Sequence, residues 1–119
     1  MHNLNWTVKF HDEFEPEFED MPELLQDELL DRLRVLDHWG PELGRPHVDT
    51  LKGSRFANMK ELRFVFDGGV WRIGFAFDPA RRAIVLVAGN KSGVNQIRFY
   101  KRLVHTADQR YEKHLEQIG

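Results

Sequence analysis

Glu61, Arg63 and Arg72 are the side chains around which chemistry can be built. They fall within Lys60 to Asp78, KELRFVFDGGVWRIGFAFD, where two alternating runs flank Gly68-Gly69. A two-residue Gly-Gly loop signals a β-hairpin, because both central positions of a type I′ turn need positive φ. With those glycines as the loop, Asp67 faces Val70, Phe66 faces Trp71, Phe64 faces Ile73 and Leu62 faces Phe75. That face is core. On the other face Glu61 is expected opposite Ala76, Arg63 opposite Gly74 and Val65 opposite Arg72. A one-residue slip would put the arginines in the core, so this register is expected to be well specified. A carboxylate and two guanidiniums among mostly small residues leave room for an anion.

The remaining elements must position that ribbon. Asn5 to His11 alternates Trp6, Val8 and Phe10 with polar neighbours, as a strand does. In DEFEPEFEDM, Phe14 and Phe18 have helical spacing, with Pro16 arguing for a short or broken turn. Asp20 as N-cap, Pro22 near the first turn and Glu23 three residues after the cap predict the start of a second helix. It buries Leu25, Leu29, Leu33 and Leu36 and stops at Trp39-Gly40-Pro41. Residues 43 to 59 read as a Gly/Pro-punctuated basic connector carrying Arg45, His47, Lys52 and Arg55. A loop of that length is unusual inside a compact domain and is a candidate for function. After the hairpin, AIVLVA over Ala83 to Ala88 is apolar at every position, like a strand covered on both faces. Gly89 to Gly93 then delivers Lys91 beyond the strand end. A last helix spans about Asn95 to Ile118, with an apolar stripe at Ile97, Tyr100, Val104, Ala107, Tyr111, Leu115 and Ile118. The expected fold is α+β, one domain over residues 1–119, with a sheet covered by helices on one side and the pairing of the first strand left open.

The chain has 119 residues, 17 Lys+Arg, 19 Asp+Glu and no cysteine. Disulfides, thiolate metal sites and cysteine nucleophiles are therefore excluded, which fits a reducing cytoplasm. No apolar run approaches the ~20 residues of a membrane helix, and the N-terminus lacks the form of a signal peptide, so a cytoplasmic protein is expected. The net charge of −2 conceals a division: residues 1–42 hold 3 basic against 12 acidic side chains, and residues 43–119 hold 14 against 7. Such segregation either presents one basic surface to a polyanion or merely decorates helices. The six histidines, at 2, 11, 38, 47, 105 and 114, show no metal-ligand spacing. No metal and no cofactor is expected.

The string L-x-R-P-x-V-D-x-L-K-G from Leu43, then Lys60-Glu61-Leu62-Arg63, Trp71-Arg72, Phe77-Asp78-Pro79, Arg81-Arg82 and Gly89-Asn90-Lys91, resembles the RelE/HigB toxin superfamily, in particular its phage-derived, HigB-like branch. The likeness is most specific over Leu43 to Arg102. It implies a RelE-like antiparallel sheet with two N-terminal helices and a C-terminal helix packed on it. It also implies a toxin of a type II toxin-antitoxin pair that cuts mRNA on the ribosome and is held inactive by an antitoxin, often one with a helix-turn-helix, in a hetero-oligomer.

Metal-free RNA cleavage needs a base for the 2′-hydroxyl proton, cations for the charge growing on the phosphate, and an acid for the departing 5′-oxygen. Arg63 and Arg72 suit the second task, since a planar guanidinium holds two phosphate oxygens at once. Glu61 is the candidate base, or only a partner for Arg63. Lys91 and, second to it, Lys60 are candidates for charge stabilisation or proton donation. Lys60 points to the core side if the strand already begins there. Arg45, His47, Lys52 and Arg55 complete the expected RNA-binding set. Tyr100 resembles the C-terminal aromatic that stacks on a base in such toxins, although it also lies on the apolar stripe. The chain departs from the resemblance in carrying Lys91-Ser92-Gly93-Val94-Asn95-Gln96 where many members have a lysine-rich tract, and Glu61 where some have a catalytic lysine. A second function on the same fold stays open: a gyrase inhibitor like ParE, or a phage-derived module that binds a protein partner.

Overall fold

The computed structural model describes residues 6–119, so Asn5 of the expected first strand and His2 lie outside the described residues. The elements run β1 (Thr7–Phe10), α1 (Glu15–Glu19), α2 (Glu23–Trp39), a 3-10 turn (Gly40–Glu42), β2 (Val48–Thr50), β3 (Met59–Phe66), β4 (Gly69–Phe77), β5 (Arg82–Asn90) and α3 (Gln96–Ile118). They build an α+β fold on one five-stranded sheet of order β1-β5-β4-β3-β2. The sheet is mixed rather than antiparallel throughout, because β1 lies parallel to β5, with Phe10 beside Val85.

Helices cover both faces of the sheet, not one. Leu25, Leu29, Leu33 and Leu36 of α2 join Leu62, Phe64, Ile73, Phe75, Ala83 and Val85 in one core. On the opposite face Leu103, Ala107 and Tyr111 of α3 join Met59, Ala76, Ile84 and Leu86. The uninterrupted apolar run of β5 follows directly, since alternate residues serve different cores. Each fully buried leucine of α2 contributes about 1.5–3 kcal/mol relative to an exposed one.

Local details depart from expectation at several points. Asp20 ends α1 instead of capping α2, whose first turn is preceded by Pro22 with no side-chain cap. Ile97 is 81% exposed and Ile118 is also exposed; the stripe that α3 buries runs through Leu103, Ala107, Tyr111 and His114. Inside the basic connector, Val48–Thr50 is a short edge strand pairing antiparallel with β3. The hairpin turns on Asp67-Gly68, at φ 49° and 75°, so Phe66 pairs with Gly69. Asp-Gly satisfies the type I′ requirement as Gly-Gly would. Each residue consequently has a partner two positions from the expected one. Faces are preserved: Leu62 opposes Ile73, Phe64 opposes Trp71, Glu61 opposes Gly74, Val65 opposes Val70, and Arg63 opposes Arg72.

Candidate functional site

The alternation of β3 and β4 puts Glu61, Arg63 and Arg72 on the α3 side of the sheet, and β2 adds Asp49 opposite Glu61. The helix then supplies a lid. Gln96 and Tyr100 are four residues apart on α3, hence on one helical face. With Arg45, Asp49, Thr50, Lys52, Glu61 and Arg63 they line a cleft of about 310 Å³.

Glu61 is the hub, although only 4% exposed. The Tyr100 hydroxyl donates to Glu61 Oε1 at 2.9 Å and accepts from Arg72 Nε at 2.9 Å. Arg72 Nε is also 3.2 Å from the same carboxylate oxygen, and Arg63 Nε is 3.8 Å from it. Arg63 Nε is itself buried with no hydrogen-bond partner among the described residues. A second carboxylate organises the mouth: Asp49 Oδ2 accepts from Arg63 Nη2 at 3.0 Å and from Arg45 Nε at 3.1 Å. Its Oδ1 accepts from the Thr50 amide at 2.8 Å. That amide bond, opposed by some desolvation and joined by the arginines, holds Asp49 below the usual carboxylate range.

Tyr100 is shifted the other way. Burial comes first in pushing its phenol up; Arg72 partly opposes this and Glu61 adds to it. The hydroxyl therefore keeps its proton near neutrality. Its ring is packed edge-on against Phe99 and has Lys91 Nζ 5.8 Å from its centroid. Tyr100 thus offers the cleft its hydroxyl, while Lys91 occupies a position over the ring where a base was expected to stack.

Of the residues singled out in the sequence, Arg45, Lys52, Glu61, Arg63 and Tyr100 line the cleft, and Arg72 and Lys91 adjoin it through Tyr100. Three stand apart. Lys60 shares the face of Leu62 by register and reaches Thr50 Oγ1 at 3.4 Å. Arg55 pairs with Glu112 at 2.9 Å and lies over Phe56, away from the cleft. His47 is exposed at the approach to β2.

Asp49 and Gln96 were not anticipated. The alternating Val48-Asp49-Thr50 was the available signal for the first; nothing in the sequence marks the second. A separate buried network ties α3 to the β4–β5 turn: Asp78 accepts from Arg82 and lies 2.8 Å from His114 Nε2, while Asn58 donates to Tyr111 and to the Phe77 carbonyl. Five cations and two carboxylates converge on the cleft and its margin, so the arrangement can hold a phosphate and move a proton between a phenol and a carboxylate.

Comparison with known proteins agrees with this architecture. Residues 16–112 match the family described as phage derived protein Gp49-like (DUF891). The candidate toxin HigB2 of Mycobacterium tuberculosis (strain ATCC 25618 / H37Rv) is 50% identical over 87 residues, 72% of this chain and 43% of that protein. The candidate toxin HigB3 of the same organism is 52% identical over 81 residues, 68% of each chain. The chain thus spans less than half the length of the first relative and about two thirds of the second. A free-state mutant of the E. coli toxin RelE superposes with a TM-score of 0.58 at 12% identity, over 86% of this chain and 97% of that one, which establishes the shared fold. The match to the family over residues 16–112, together with the identity to HigB3, establishes that the chain belongs to the Gp49-like family of phage-derived proteins.

Proposed function

We propose that the chain is the toxin of a toxin-antitoxin pair, neutralised by a partner protein, and that it cuts ribosome-bound mRNA in the cleft beneath Tyr100. The names of its relatives support the first part. The observation that carries the second is the Tyr100 hydroxyl held between Glu61 Oε1 and Arg72 Nε, both at 2.9 Å.

In this reading Arg63, at the partly open mouth, and Arg72, at the floor, hold the scissile phosphate and offset the charge that builds on it. Arg45 and Lys52 bind flanking phosphates. The buried Glu61 takes the 2′-hydroxyl proton through Tyr100. The phenol oxygen receives that proton as its own passes to Glu61, the O2′–P bond forms and the P–O5′ bond breaks. Lys91 protonates the departing 5′-oxygen. The near-complete burial of Glu61 favours a second reading, a non-nucleolytic partner-binding protein on the same fold.

Inducing the chain in growing cells and mapping mRNA 5′ ends separates the two. New ends that track codons, and that vanish with Arg72→Ala, support cleavage. Intact mRNA together with arrested growth leaves the second reading.

A further inference from the structure

β1 accompanies only the first half of β5. The parallel ladder ends at Phe10 beside Val85, and the His11 amide closes it on the Val85 carbonyl at 2.9 Å. Arg110 Nη1 then caps the Leu86 carbonyl at 2.7 Å. Beyond that point no strand among the described residues lies beside the outer edge of β5.

The direction of its backbone groups follows from the other side. The Lys91 amide donates to the Val70 carbonyl, and antiparallel bonding alternates, so Gly89 and Val87 turn their amides and carbonyls toward β4. Ala88 and Asn90 must turn theirs outward, where no donor or acceptor among the described residues meets them. A strand edge of this kind accepts an extended peptide.

Each face of that edge opens on a groove. On the α3 side one of about 600 Å³ has Gly89, Phe99 and Leu103 in its lining and Arg98 and Arg102 at exposed positions, with no acidic side chain among the described residues that line it. Neither arginine forms an ion pair among the described residues. On the α2 side one of about 410 Å³ has Leu25, Phe66 and Trp71 in its lining, with Glu17, Asp20 and Asp67 beside them, so it favours uncharged side chains over acidic ones. Successive side chains of an added strand would enter the two grooves in turn. The edge offers amides and carbonyls together at the strand repeat, which the backbone of an added strand matches group for group and a phosphate, an acceptor alone, does not, so the unpaired groups favour polypeptide over nucleic acid.

We infer that the outer edge of β5 from Val87 to Asn90 is a docking site for an extended segment of a partner protein, with acidic side chains facing Arg98 and Arg102 and apolar ones facing Trp71 and Leu25. The site lies across α3 from the Tyr100 cleft, so it stands whether or not that cleft cuts RNA.

The test uses the whole chain and an acetylated octapeptide alternating glutamate with leucine, followed by amide exchange and chemical-shift mapping. The expected result is slowed exchange at Ala88 and Asn90, and at least a tenfold loss of affinity in R98E/R102E, with thermal melts verifying that this variant is folded. Unprotected Ala88 and Asn90 amides, undiminished binding by the folded variant, or equal binding of a lysine-for-glutamate peptide would each overturn the site. So would an RNA octamer that shifts the same residues when the peptide does not.

Discussion

Arg63 and Arg72 stand directly opposite one another across the β3–β4 ladder, and the buried Glu61 Oε1 lies 3.8 Å from Nε of the first and 3.2 Å from Nε of the second. Like charges in that register repel. The carboxylate is what allows two guanidiniums to share one face.

Removing that carboxylate strands Arg72, whose side chain is only 11% exposed. Glu61→Ala is expected to lower unfolding stability by about 3–5 kcal/mol. Glu61→Ala combined with Arg72→Leu should recover part of the loss, because a buried cation no longer lacks its partner. Urea titration of the two variants checks this, and equal stabilities would contradict it.

Tyr100→Phe deletes one hydroxyl and leaves Glu61 and Arg72 within 3.2 Å of each other. Stability should change by about 1 kcal/mol. Cleavage of ribosome-bound mRNA should fall by about 100-fold or more if the phenol relays the proton. Cleavage at the unaltered rate in a folded variant removes Tyr100 from the chemistry.

Gly40 ends α2 at φ 57°, and a Cβ there would collide with the Trp6 indole. Gly40→Ala is therefore expected to destabilise the fold by about 1–3 kcal/mol and to change tryptophan fluorescence. A melt unchanged from the parent would show that the indole yields without cost.

Acid should weaken the fold in two stages. His11 is lowered chiefly by burial, with Glu13 opposing. Its folded value lies below the unfolded one, so its contribution is complete above about pH 6.5 and is lost as pH falls from there through the folded value. For Asp78 burial is the largest influence and acts upward, but the bonds from His114 and Arg82 outweigh it and the net direction is down. Its contribution is complete above about pH 4 and disappears on further acidification. Urea midpoints measured against pH should lose the upper stage in His11→Asn, and the lower one should shrink in Asp78→Asn, with Asp49 and Glu13, also lowered, retaining the rest.

The faces of the hairpin were legible because period-two patterning records burial; its register was not, because Asp67-Gly68 and Gly68-Gly69 both supply the positive φ that a tight turn needs. The four leucines of α2 announced their stripe, whereas the start of that helix did not, since Asp20 was already engaged in ending α1. The apolar run of β5 itself required cover on two sides. Ile97 misled because spacing alone cannot show how far toward its start α3 is packed; Leu103 begins the buried stripe. In the cleft, Glu61, Arg63 and Arg72 were visible as a set because one strand pair carries them. The place of Tyr100 among them depends on the rotation of a helix 28 residues further along, which no local pattern encodes.

The attachments of α3 are unevenly distributed along its length. Asp108 holds Ser54 and Arg55, Arg110 holds Glu17 and Leu86, Glu112 pairs with Arg55, Lys113 with Glu13 and His114 with Asp78. Over the first two turns, among the described residues, Tyr100 alone makes side-chain hydrogen bonds to another element, to Glu61 and Arg72. The helix is thus anchored at its distal half and tethered by a single phenol near its start. Amide exchange should be slowest around Ala107 to His114 and should quicken toward Gln96, so the wall of the cleft is the part of the helix that opens first.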